Sequence, residues 1–329
     1  MPSLVSRRLF LTTLAVLGHP RIVRGQPASK TARIAVLASG TETNFGPSIA
    51  VFRDALGKAG WVEGQNLTLD VRYAGERYER LPRLMAELLT LRPDVITSLG
   101  TPATEAAKRA TETIPIVMES LSDAVAVGLV PNLARPGGNV TGVSGFAPEL
   151  SGKRLELIRE IRPGATRIAI LTNLANPATA PVVRTTESAA QQMRMQLTTV
   201  DVQRPEGLNA AFDVMTRAHS DAFVLAADPL LFSHVREIVA LAARHRLPAV
   251  YETRRFAEAG GLLSYGPLTH ERFAQLAGYV DRILRGARPG DLPVEQPRTF
   301  ELVLNVKTAK ALGLEFPPSL RLRADHVIE

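Results

Sequence analysis

The chain of 329 residues contains no cysteine. That excludes a disulfide scaffold, a thiolate metal site and a lipid anchor on a cysteine. Aromatic residues make up only 5% of the sequence, so one placed in a polar loop is a candidate contact. The uncharged run from Leu9 to Leu17 is too short to span a bilayer, which takes about 20 apolar residues. Catalytic signatures are also missing: there is no nucleotide-binding G-x-x-x-x-G-K-[ST], no H-E-x-x-H, no G-x-S-x-G and no G-x-G-x-x-G. His19, His219, His234, His245, His270 and His326 lack the spacing of metal ligands. The residues therefore point to no metal, no cofactor and no enzyme.

What is present begins at Ser6-Arg7-Arg8-Leu9-Phe10-Leu11, where two arginines precede the short apolar run. A basic stretch followed by a brief apolar one reads as an export signal. This pattern resembles the twin-arginine type. Cleavage between Gly25 and Lys30 is expected, giving a signal peptide over residues 1–28 and a mature protein in the periplasm. The formal charge of +7 owes much to that segment. Removing its four arginines leaves 35 basic against 32 acidic residues, about +3, which gives no reason to invoke nucleic acid.

From Arg33 onward, short apolar runs alternate with amphipathic stretches. Strands are expected at 33–38, 66–73, 94–98, 114–118 and 140–144, and helices at 47–59, 78–91 and 103–110. The series then restarts. A helix at 153–162 leads to Arg167–Leu171 (RIAIL), an echo of the opening RIAVL. Helices at 178–193, 207–218 and 233–245 then alternate with strands at 197–202, 222–225, 249–251 and 262–265. Such alternation predicts an α/β fold with two doubly wound, parallel-sheet lobes. A leftover helix at 271–285 and strand at 300–305 imply that the chain crosses between lobes more than once. Several crossing strands make a hinge that can close on a ligand. The expected division is 30–146 with 267–297 for the N-terminal lobe, and 147–266 with 298–329 for the C-terminal lobe.

In open parallel sheets, ligands bind at the carboxyl ends of the strands. Three junctions there place Thr101, Asn176 or Asp228 directly before a proline, the pattern of a capped helix start. Exposed amides at such starts attract carboxylates. Gly100 and Asn173 belong to the same junctions, and Ser39, Thr41, Ser120 and Ser122 add hydroxyls. Asp123, Asp228 and Glu252 are candidate partners for an ammonium group, Asp228 first, although each equally fits a capping or solvated role. Phe45 and Tyr251 are candidates for lining an apolar pocket.

Several segments together resemble a known family. They are Gly60–Asn66 (GWVEGQN), Gly100–Ala103 (GTPA), Ile114–Val117 (IPIV), Leu133–Gly142 (LARPGGNVTG), Lys153–Leu157 (KRLEL), Asn176-Pro177 and Asn305–Leu314 (NVKTAKALGL). The chain is similar, from about Arg33 to Glu329, to the ABC-transporter substrate-binding family that includes tryptophan/tyrosine-type binding proteins. The resemblance implies a type I periplasmic-binding fold with three interlobe crossovers. It further implies capture of a small ligand between the lobes by a monomer, and delivery to an inner-membrane permease and its ATPase. A ligand-sensing subunit for a signalling receptor would use the same fold. One departure is at Ser120-Leu121-Ser122-Asp123-Ala124-Val125, where members often carry proline in place of Ala124.

Overall fold

The structure is a computed structural model that describes residues 31–329 apart from Leu121 and Phe146; the expected export signal lies outside the described residues. Strand β1 (Ala32–Ala38) pairs in parallel with β2 (Leu67–Tyr73) on one side and β3 (Val95–Leu99) on the other. With β4 (Ile116–Glu119) and β5 (Val140–Val143) they form a five-stranded sheet in the order β2-β1-β3-β4-β5. Alternate residues of a strand face opposite sides. Ile34 and Val36 accordingly pack with Ile49, Phe52 and Leu56 of α1 (Glu42–Lys58), while Ala35 and Leu37 pack under α2 (Leu81–Thr90) and α3 (Thr101–Ala110).

Helix α1 corrects the sequence-based start at Pro47. Thr41 caps it, its hydroxyl accepting from the Asn44 N–H at 3.2 Å, and Glu42 lies in the positive first turn. Pro47 falls inside the helix, and residues 42–46, between the expected strand and helix, are helical as well.

The chain then leaves for a second sheet through α4 (Ala147–Ile161). Its parallel strands are β6 (Arg167–Thr172), β7 (Gln196–Asp201), β8 (Ala222–Leu225), β9 (Ala249–Tyr251) and β10 (Leu263–Pro267). Ile168 and Ile170 face α4 and α5 (Thr179–Gln192). Ala169 and Leu171 face α6 (Leu208–Arg217) and α8 (Val235–Arg244), with the short α7 (Pro229–Ser233) between these helices in sequence. After β9 comes a brief helix, α9 (Arg254–Glu258), which the sequence pattern did not reveal.

Helix α10 (Thr269–Leu284) follows β10 but does not stay with the second sheet. Phe273, Leu276, Ala277 and Val280 pack in the core of the first, beside α1. Glu295 then bridges to Val143 at the edge of β5, before β11 (Phe300–Asn305) returns to the second sheet antiparallel to β10. The chain ends with α11 (Val306–Leu312), α12 (Pro318–Arg323) and β12 (His326–Ile328), three elements that lie beyond the strand–helix series expected from the sequence. The second sheet therefore reads β12-β11-β10-β9-β8-β6-β7. The crossing segments touch: Leu268 N–H donates to the Thr299 carbonyl at 3.3 Å, and Ser144 N–H to Glu295 O at 2.9 Å. Among the described residues, no helix is long and apolar enough to cross a membrane.

Candidate ligand-binding cleft

The carboxyl ends of both parallel sheets face a common cleft. From the first sheet, β1 leads into Ser39 and α1, β3 into Gly100 and Thr101, and β4 into Glu119, Ser120 and Ser122. From the second, β6 leads into Asn173 and Asn176, and β8 into Asp228 and α7. Gly100, with φ of +95°, is the residue that caps α3; a Cβ there would come within 2.9 Å of Ser39 Oγ. This corrects Thr101 as the cap, since the left-handed backbone at Gly100 sets the helix start one residue earlier.

The lobes touch across the cleft at named groups. Asn44 donates through Nδ2 to the Pro229 carbonyl at 3.3 Å and accepts from Arg255 Nη1 at 2.7 Å. Tyr78, in a single 3-10 turn before α2, donates its hydroxyl to Asp228 Oδ2 at 2.8 Å.

Asp228 is fully buried, and its carboxylate is already surrounded by donors. Oδ2 also receives Asn176 Nδ2 at 2.8 Å, and Oδ1 receives Asn173 Nδ2 at 3.2 Å and the Leu230 N–H at 2.9 Å. Burial pushes its pKa up, and the bonds from Asn176, Tyr78, Asn173 and Leu230 offset that only partly. With both oxygens occupied, Asp228 has no room for a ligand ammonium, which overturns its assignment as that partner. Asn173 and Asn176 serve the same knot. Asn176 is not the cap of α5, because a turn closed by Thr179 N–H on Asn176 O precedes that helix.

Between the lobes lies a cavity with about 750 Å³ of empty space, its mouth included. Phe45 and Phe273 from the first lobe and Phe232 from the second supply aromatic wall. Asn44, Gly100, Thr101, Asn176 and Arg255 also line it. So does a buried ion pair, Glu119 with Arg272; the arginine also donates to the Ser120 carbonyl at 3.0 Å. Behind Thr101 its hydroxyl meets those of Ser120 and Ser122, both at 2.8 Å, and the two serines lie 2.9 Å apart.

The expected carboxylate cradle of helix amides is largely filled from within. Pro102 has no N–H, Ala103 N–H donates to Ser39 Oγ at 3.1 Å and Thr104 N–H to Gly100 O, which leaves Thr101 N–H at the start of α3. The cleft instead has two arginines that the loops near the strand ends did not reveal, Arg255 on α9 and Arg272 on α10.

Other candidates lie away from the cavity. Tyr251 is buried in the second lobe's core, stacked on Phe256 with ring centres 4.6 Å apart, because the alternation of β9 turns it toward α8 and α9. Glu252 is buried against Arg154 at 2.5 Å; burial raises its pKa, opposed by Arg154 and by Arg272. Asp123 accepts from the Val125 and Ala126 N–H groups and shapes its own turn. Thr41 caps α1. The departure at Ala124 has a use: its N–H, which a proline would lack, donates to Ser144 Oγ at 3.0 Å.

This geometry has close counterparts. A family model described as ABC transporter substrate binding protein matches residues 46–328. A tyrosine-binding protein of Clostridioides difficile (strain R20291) is 26% identical over 277 residues, which cover 84% of this chain and 78% of that protein. The crystal structure of an ABC domain in complex with L-Trp from Streptococcus pneumonia superposes with a TM-score of 0.85 at 26% identity, over 91% of this chain and all (100%) of that one. A conserved domain protein from Vibrio cholerae gives 0.86 at 27% identity over the same shares, 91% and 100%. The fold is thus the two-lobed type I periplasmic-binding fold, and the chain belongs to the ABC transporter substrate binding protein family.

Proposed function

We propose that the protein is the periplasmic binding component of an ABC importer and captures a small carboxylate-bearing ligand, an aromatic or branched amino acid, between its lobes. The observation that carries this reading is the cavity wall, where Phe45, Phe232 and Phe273 from both lobes stand beside the Glu119–Arg272 pair. An apolar wall with a few convergent polar groups is the usual make-up of a small-molecule site. The names of the relatives, one a tyrosine-binding protein and one a complex with L-Trp, support an aromatic side chain. In this reading the lobes, 30–146 with 267–297 and 147–266 with 298–329, close about the crossing strands, and the monomer delivers its cargo to a permease and ATPase.

Thermal shift and calorimetry with L-tryptophan, L-tyrosine, L-phenylalanine, L-leucine and benzoate test the ligand. A binder at 100 times its dissociation constant adds about 2.7 kcal/mol of stability. No shift with any of the five removes the amino-acid reading. Export is tested separately. Replacing Arg7 and Arg8 with lysine should leave precursor in the cytoplasm, and normal periplasmic accumulation of that variant counts against the twin-arginine route.

A further inference from the structure

Glu119 and Arg272 are 4% and 3% exposed, yet both form part of the cavity wall. Glu119 takes the arginine through Oε1. Arg272 is paired through Nη2, while its Nε is buried without an acceptor. A buried donor left without a partner is costly and rare in native proteins, so this one calls for an acceptor that the protein itself does not supply.

The pair is neutral as a whole but polar toward the cavity, negative at Glu119 and positive at Arg272. An α-amino acid has the same dipole on adjacent atoms. Laid antiparallel, its ammonium meets Glu119 and its carboxylate meets Arg272, so every charge has an opposite neighbour. An aromatic acid without an amino group would bring a second carboxylate beside Glu119 with no cation of its own. An amide or amine would leave the Arg272 Nε without an anionic acceptor. The pair is braced from behind: Arg154 holds Glu252 at 2.5 Å, and Glu252 lies close enough to feel the charge of Arg272.

We propose that the Glu119–Arg272 pair makes the cleft selective for zwitterions, with Arg272 Nε donating to the ligand carboxylate and Glu119 accepting from its ammonium. This rests on the amino-acid reading above and names the residues that enforce it.

The test is calorimetry with L-tryptophan, L-tryptophanamide and indole-3-propionate. The proteins are the wild type, Glu119→Gln, Arg272→Gln and the doubly neutral Glu119→Gln/Arg272→Met, each first checked by thermal melting. The double variant guards against misfolding, since it leaves no lone buried charge. The wild type should prefer L-tryptophan over either analogue by about ten- to a hundred-fold. Arg272→Gln should bring L-tryptophan and its amide to similar affinity, Glu119→Gln should do so for L-tryptophan and indole-3-propionate, and the double variant should equalise all three. A folded variant that weakens all three ligands alike would reduce the pair to a structural brace and overturn the proposal. Wild-type binding of all three without preference overturns it too, while leaving the aromatic cleft intact. No wild-type binding of any of them removes the amino-acid reading as well.

Discussion

Tyr78 of the first lobe donates to a carboxylate oxygen of Asp228 in the second, at 2.8 Å. The other donors to Asp228 come from Asn173, Asn176 and Leu230, all in the second lobe, so the acceptor is assembled before the lobes meet. In the closure proposed above, the tyrosine bond belongs to the closed state. Tyr78→Phe should raise the ligand dissociation rate and Kd about ten-fold, since bonds to charged groups contribute about 1.5–3 kcal/mol. The association rate and the melting temperature without ligand should barely change. Stopped-flow release measurements decide this, and an unaltered dissociation rate would show that the bond does not hold closure.

Asp228→Asn provides a sharper contrast. At an ordinary helix cap the two residues are interchangeable. Here an Asn amide would point its NH₂ at the donor-only NH₂ of Asn173 or Asn176. The variant should lose about 1–3 kcal/mol of stability in urea unfolding, the cost of an unsatisfied buried group. A silent substitution would reduce Asp228 to a cap.

Arg154 and Glu252 are both buried, 2.5 Å apart. Arg154→Met strands the glutamate and should cost about 3–5 kcal/mol. Adding Glu252→Gln should recover much of that loss, because the double variant has no lone charge. Additive losses in denaturant titrations would show that the two do not act as a pair.

Asp221 sets an acid limit. Burial pushes its pKa up, but the N–H groups of Thr166 and Arg167 and the charges of Arg162 and Arg167 outweigh that, so the folded value lies below the ordinary one. A depressed carboxyl stabilises the fold above its unfolded value, about 3.9, and loses that contribution as pH falls through the folded value. Asp221→Asn should therefore flatten the decline in stability below about pH 4, as read by thermal melts from pH 5 to pH 2. An unchanged acid limb would remove Asp221 as a contributor.

The β-α alternation was legible because each element carries its period within a few residues. Ile34 and Val36 on one face of β1, and Ala35 and Leu37 on the other, follow from a period of two. The apolar stripe of α1 follows from the 3.6-residue turn. The helices α9, α11 and α12, each two turns or less, and the three-residue β12 at the end of the chain were not legible, because so short a helix shows no amphipathic stripe and β12 follows no alternating series.

The sequence by itself determined the two lobes, the crossings between them and the rim of strand ends where a ligand would sit. All of these rest on local patterning and on the order of elements. Only the tertiary structure decided which rim groups are free. Whether Asp228 can receive a ligand depends on donors 52, 55 and 150 residues away, and no local pattern records them. The Glu119–Arg272 pair likewise exists because α10, which follows the last parallel strand of the second sheet, packs on the first. A carboxylate's role is set by the charges and donors within a few ångströms of it, and the chain brings those from wherever its crossings lead.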